Sequence, residues 1–273
     1  MRSLALKIIL VSFLCFYFVI FPQQVKAETA PLRIAVAANF YPVLEQLLPE
    51  FQKVAKLTAA PNIQLISAAS GTLYQQISHG APFDVFLSAD AIRPQQLVDR
   101  QLADASSLKT YAIGQLSLWS ANQAVDSLAV LSAKPSEQNK LAIANPNIAP
   151  YGIAAKEVLT KLNLWQSYKH KLITGININQ TFQQVHSGAI NLGIVAKSQL
   201  VLNNLQGFDI PEHLYTPIAQ QLVIINNTKH AELAQQFCAF LLSAPIQQKL
   251  ALYGYHSPLF YNQKVAELIT AEQ

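Results

Sequence analysis

Short apolar runs recur about every 20 to 30 residues along this chain, each followed by a segment whose apolar residues repeat at helical spacing. Arg33-Ile-Ala-Val-Ala37, Ile63-Gln-Leu-Ile66 and Asp84-Val-Phe-Leu87 read as buried strands. Val43, Leu47, Phe51 and Val54 mark a helix after the first, and Leu73 and Ile77 mark a shorter one ended by Gly80. Pro49 is expected to kink the first helix or end it early, because a proline ring collides with the carbonyl one turn back. The cadence restarts at Gln115-Leu-Ser-Leu-Trp119 and continues through Lys140-Leu-Ala-Ile-Ala144, Leu192-Gly-Ile-Val195 and Gln221-Leu-Val-Ile-Ile225. Helix faces lie between and after them at Ala155, Val158, Leu159 and Leu162, at Ile178, Phe182 and Val185, and at Leu233, Phe237, Phe240 and Leu241. Strands alternating with helices predict an α/β chain with mostly parallel sheets. At 273 residues the chain exceeds one comfortable core, and no long Gly/Ser linker divides it. Two α/β lobes joined by short crossings are expected.

The net charge of +4, the pI of about 9.0 and the mean hydropathy of +0.23 suggest a polyanion or membrane partner. Most of both signals comes from the first 27 residues. Arg2 and Lys7 precede the uncharged run 8–21, and Val25-Lys26-Ala27 then supplies small or branched residues before Glu28. That is the plan of a cleaved secretory signal peptide, and the run is short of the ~20 residues that span a bilayer. Removing 1–27 takes three of the 19 basic residues and none of the 15 acidic ones, leaving +1. No basic cluster remains, so nucleic-acid binding loses its support. Cys15 leaves with the signal, and Leu14 before it does not suit a lipidated cysteine. Cys238 then stands alone, which excludes an internal disulfide and makes it a small core residue.

Four turns run from a strand end into a helix start: Ala38-Asn39-Phe40, Ala69-Ser70-Gly71, Ala149-Pro150-Tyr151-Gly152 and Asn177-Ile178-Asn179. Asn and Ser favour helix N-caps, and Pro suits a first helical turn. Helix N-termini expose unpaired N–H groups with partial positive charge, and ligands of open α/β sheets sit at the strands' carboxyl ends. Segments 36–41, 67–74, 148–152 and 176–181 contain no Lys, Arg, Asp or Glu. A site made only of neutral donors suits a fully deprotonated dianion, whereas hydrogen phosphate would bring a proton with no acceptor. Sulfate, molybdate or tungstate is the expected class of ligand.

Val36-Ala-Ala-Asn-Phe40, Ala69-Ser-Gly-Thr-Leu73, Gly80-Ala-Pro-Phe-Asp-Val-Phe-Leu-Ser-Ala-Asp90 and Ala144-Asn-Pro-Asn-Ile-Ala-Pro-Tyr-Gly152, with Asn177-Ile-Asn-Gln-Thr-Phe182 and Gly193-Ile-Val-Ala196, follow one another in a familiar order. Across nearly all of residues 32–260 the chain resembles the periplasmic molybdate-binding proteins of ABC transporters. The resemblance implies a two-lobe periplasmic-binding-protein fold of type II, each lobe a mostly parallel sheet flanked by helices. Lobe I would comprise 28–113 and 217–273, and lobe II 114–216, with hinges near Thr110 to Gln115 and Tyr215 to Gln220. It further implies oxyanion contacts from the backbone at Ala38, from Asn39, from the hydroxyl and N–H of Ser70, and from the N–H groups of Tyr151 and Ile178. The implied ligand is molybdate, with tungstate beside it. No cofactor is implied, and the partners would be a membrane permease and its ATPase, with the binding protein a periplasmic monomer. The chain departs from some members, which have Tyr where it has Ala196 and Ser where it has Asn39, so the preference among these oxyanions stays open.

Enzymatic readings find little. The six histidines show no paired-ligand spacing, and no nucleophile elbow or phosphate-binding loop occurs. Ser106-Ser-Leu-Lys109 matches Ser-x-x-Lys without the partner motifs of that chemistry. Asp84 and Asp90 are expected to cap or orient loops, and no catalysis is expected. Two other classes stay open: a binding protein for sulfate, phosphate or a small organic acid, and a periplasmic hydrolase.

Overall fold

The computed structural model describes residues 30–55, 63–132, 140–258 and 261; the expected signal segment lies outside them. Ten strands form two five-stranded sheets. In chain order they are β1 (Leu32–Ala37), β2 (Ile63–Ala68), β3 (Val85–Leu87), β4 (Lys109–Gly114), β5 (Leu116–Trp119), β6 (Leu141–Ala144), β7 (Leu172–Gly175), β8 (Leu192–Ala196), β9 (Phe208–Asp209) and β10 (Ile218–Ile224). The first sheet has the order β2-β1-β3-β10-β4 and the second β7-β6-β8-β5-β9. In each, three neighbouring strands run parallel and the fourth is reversed. That reversed strand is the first one the chain forms after arriving from the other sheet: β5 on the way out, β10 on the return. The two passages lie side by side, with Gly114 at the end of β4 opposite Ile218 at the start of β10.

The helices that matter below are α1 (Tyr41–Val54), α2 (Ser70–Ser78), α3 (Ile92–Asp99), α4 (Pro150–Lys161), α5 (Trp165–Tyr168), α6 (Ile178–His186), α7 (Lys197–Leu202), α8 (Ala231–Leu242) and α9 (Ala244–Leu252). They cover both faces of both sheets. Ile34, Val36, Val85, Leu87, Leu222 and Ile224 pack against α1, α8 and α9, while Ala35, Phe86 and Val223, one residue out of phase, pack against α2 and α3. In the second sheet Leu141 and Ile143 face α4, while Ala142 and Val195 face α6. Burial on both faces is why these strands read as unbroken apolar runs instead of alternating ones. Cys238 lies in the α1–α8 core at 7% exposure, and burial pushes its thiol up to about 12.

Helix α1 runs through Pro49, where the sequence predicted a kink or an early end, and continues to Val54. Leu44 and Leu47 before the proline and Phe51 after it are all buried, and such packing holds a helix together where propensity alone would not. Among the described residues no helix is long and apolar enough to cross a membrane.

Candidate functional site

The four charge-free turns follow β1, β2, β6 and β7, the corresponding pairs of parallel strands in the two sheets. They meet. The Gly71 N–H donates to the Ile148 carbonyl at 2.9 Å, joining the turn after β2 to the one after β6. The Asn145 N–H donates to the Gly175 carbonyl at 2.8 Å, joining the turns after β6 and β7. Ala38, Ala69, Ala149, Tyr151 and Ile178 share one buried cluster, although they come from opposite sheets. Ala38, Asn39, Ser70, Tyr151 and Ile178 are each at most 3% exposed.

Local structure aims backbone donors into this space. Ser70 opens α2, Tyr151 is the second residue of α4 and Ile178 opens α6. Three helix N-termini therefore converge, each with the partial positive charge of its first turn. Among the described residues no acceptor takes up the backbone N–H of Asn39, Ser70, Tyr151 or Ile178. The Ala38 N–H, which the resemblance would aim at the ligand, already donates to the Ala68 carbonyl at 3.0 Å. The Ser70 hydroxyl accepts from the Ala89 N–H at 2.9 Å, which leaves its own proton to be donated.

Supporting contacts fix these turns. Asn177 caps α6 by accepting from the Gln180 N–H at 3.0 Å, and the Gln180 side chain accepts from the Ile176 N–H at 2.6 Å. Gln199, 3% exposed, donates to the Ile178 carbonyl at 3.1 Å and accepts from the Ala196 N–H at 3.1 Å. The position where some relatives have Tyr thus starts a turn that anchors the Ile178 peptide. Gly152 follows Tyr151 because α4 begins hard against the end of β6: a β-carbon there would lie 2.2 Å from the Ala144 carbonyl oxygen.

The Asn39 side chain is engaged with protein groups. Its amide nitrogen lies 2.9 Å from Gln220 Oε1, 3.2 Å from Tyr255 Oη and 3.4 Å from Tyr151 Oη. Tyr111 donates to Gln220 Oε1 at 3.0 Å, and Tyr255 donates to the Asn39 carbonyl at 3.1 Å. Sequence reasoning missed Gln220, Tyr111 and Tyr255. The one available signal was Gln220 itself, a polar residue inside a buried strand; a register shift between Gln220 and Gln221 turns it inward.

Burial raises the phenol groups of this network. Tyr255 is pushed up to about 12, and Tyr111 and Tyr151 go well above the usual tyrosine range. Tyrosines in the unfolded chain ionise near 10. The folded state therefore holds protons that the unfolded state releases above that pH, and its stability falls as pH rises from about 10 to 12. Melting temperatures measured across pH 8 to 11 are expected to be level up to about 9.5 and to drop above it.

The carboxylates flanking β3 are spent locally, Asp90 beyond its carboxyl end and Asp84 at its opposite end. Asp90 accepts from the Arg93 N–H at 2.9 Å and pairs with the Arg93 guanidinium, while Asp84 accepts from the Arg33 N–H at 2.6 Å and from Thr228 at 2.5 Å. Both orient loops, as their sequence positions suggested. Ser106 hydrogen-bonds Asp104 at 2.8 Å. Among the described residues no group of histidine, cysteine and carboxylate side chains is arranged to hold a metal ion.

Comparison with known proteins places this geometry in a family. The model of the bacterial extracellular solute-binding proteins matches residues 32–256. A molybdate-binding protein ModA of Azotobacter vinelandii is 38% identical over 235 residues, covering 84% of this chain and 91% of that protein. The Rhodobacter capsulatus ModA is 37% identical over 253 residues, covering 86% and 98%. The solved periplasmic molybdate-binding protein of Azotobacter vinelandii superposes with a TM-score of 0.75 at 34% identity, over 83% of this chain and 99% of that one. With two mixed sheets, a seam of helix N-termini between them and relatives that match almost end to end, this chain belongs to the bacterial extracellular solute-binding proteins.

Proposed function

We propose that this chain is the periplasmic solute-binding protein of a molybdate ABC transporter, capturing molybdate or tungstate between its two sheets. The observation that carries the reading is the set of four backbone N–H groups, at Asn39, Ser70, Tyr151 and Ile178, that have no acceptor among the described residues and lie inside one buried, uncharged seam. The matching relatives are named as molybdate-binding proteins. Segments 28–113 with 217–273 and 114–216 act as two lobes, and the anion bridges donors from both. Only the closed arrangement completes its coordination, so binding favours closure.

The closed protein docks as a monomer on a membrane permease, whose ATPase drives transport. Residues 1–27 direct export and are cleaved without lipidation. The protein performs no catalysis. Hydrogen phosphate is disfavoured because the charge-free turns offer its proton no carboxylate acceptor, and Asp90 is engaged by Arg93.

Selectivity against sulfate cannot come from charge, since the ions are equal in charge, and rests on cavity size. Hydrogen bonds to charged groups contribute about 1.5–3 kcal/mol each, so stretched geometry at two of them would separate ligands by ~3–6 kcal/mol. Calorimetric titration of the mature protein is expected to show molybdate and tungstate binding at least 100-fold tighter than sulfate. Equal affinity for sulfate overturns the reading. Ser70→Ala removes one donor to the anion and the acceptor of the Ala89 N–H. The same titration should find molybdate affinity reduced by about 10- to 100-fold.

A further inference from the structure

We propose that the Tyr151 hydroxyl is a positioning group for anion capture: the residue whose N–H faces the anion is also tied, by its far end, to the interior of the opposite sheet. This role rests on the anion-capture reading. Tyr151 is the second residue of α4, which packs on the second sheet, yet its oxygen accepts from Asn39 Nδ2 at 3.4 Å and from Gln220 Nε2 at 3.2 Å. Both partners belong to the first sheet's side of the seam, at the end of β1 and in β10. Asn39 in turn offers one of the acceptor-free N–H groups. A single phenol oxygen therefore fixes the spacing between two backbone donors that come from different sheets.

The route to those partners depends on Gly114, the last residue of β4, where the chain leaves the first sheet. A β-carbon at Gly114 would stand 2.3 Å from Tyr151 Oη, 2.8 Å from Gln220 Nε2 and 3.0 Å from Tyr151 Cζ. None of these atoms has free space to retreat into, because Tyr151 and Gln220 are at most 2% exposed. The tie thus lies beside the passage between the sheets. Drawing the sheets apart must break it together with the Gly71–Ile148 bond.

Tyr151→Phe keeps the ring and the backbone N–H and removes only the tie. Stopped-flow kinetics should show molybdate leaving about tenfold faster with its association rate unchanged. Hydrogen exchange of the molybdate-saturated protein should show the Gly71 amide exchanging faster by a similar factor. Tyr168→Phe is the control: it removes another buried hydroxyl, one that donates to the Leu131 carbonyl at 3.0 Å away from the seam, and should move neither rate. Gly114→Ala crowds the tie without altering Tyr151 and should accelerate dissociation too, which makes the test even if the phenylalanine variant does not fold. The effects of Gly114→Ala and Tyr151→Phe should fall short of additivity, since both act on one contact. Dissociation at the wild-type rate in both variants, or an equal acceleration in Tyr168→Phe, overturns the role. A wild-type protein that binds none of molybdate, tungstate and sulfate overturns the function itself, and this role with it.

Discussion

Ser70→Asp is expected to abolish oxyanion binding at a much smaller cost to the fold of the ligand-free protein. Ser70 is the first residue of α2 and 1% exposed, so a carboxylate there stands against any dianion held in the seam. At a separation of ~4 Å and an effective dielectric near 20, one charge against two repels by about 8 kcal/mol. Even half of that is close to a thousandfold in affinity. Folding loses far less. Desolvating a carboxylate at so buried a position opposes the fold, but the helix dipole and the Ala89 N–H, which it can still accept, offset part of that cost. Calorimetry with molybdate should give no heat, and the ligand-free protein should keep a cooperative melting transition at a somewhat lower temperature. Loss of that transition along with the affinity would make Ser70 a structural residue instead of a ligand.

Gly152→Ala should cost both stability and binding. The new methyl would lie 2.2 Å from the Ala144 carbonyl oxygen, 2.7 Å from its carbon and 2.8 Å from the Asn145 carbonyl carbon, all of them backbone atoms. Side chains can rotate away from an intruding methyl, but a strand end cannot. The start of α4 must lift instead. Overpacking of this kind costs about 1–3 kcal/mol and occasionally more. Because Tyr151 precedes Gly152, the lift also displaces a donor N–H. Denaturant unfolding should show a lower midpoint at unchanged slope, and molybdate affinity should fall by more than tenfold. An unchanged midpoint would mean that the helix start can shift freely.

Much of this was legible in the residues. The strands β3, β6 and β8 are short apolar runs buried on both faces, and such runs stand out because no polar residue interrupts them. The four turns were legible for a chemical reason: a seam that holds a dianion on neutral donors must exclude charged residues, and their absence can be read directly. Other parts depend on distant contacts. Strand β4 opens with exposed or half-exposed Lys109 and Thr110, and β7 is a four-residue edge strand, so neither has an apolar signature. The Asn39–Gln220–Tyr255 network joins residues 181 and 216 positions apart, and no local pattern marks such a pairing. The commitment of the Ala38 N–H to Ala68 is likewise a matter of how β1 and β2 end side by side. Pro49 does not end its helix, because its local cost is offset by buried neighbours on either side.

The reversed fourth strands also govern the order in which the chain can fold. Every strand of the second sheet lies between Leu116 and Asp209, so that half is complete as soon as its own stretch of chain is available. The first sheet is interrupted. β4 has no partner there other than β10, and β3 has an open edge until β10 arrives, more than a hundred residues later. Pairings across such a separation form slowly, because the loop must be closed before any contact rewards it. The half that is made first is therefore finished last, and the strand that finishes it carries Gln220, the residue on which the buried tie depends.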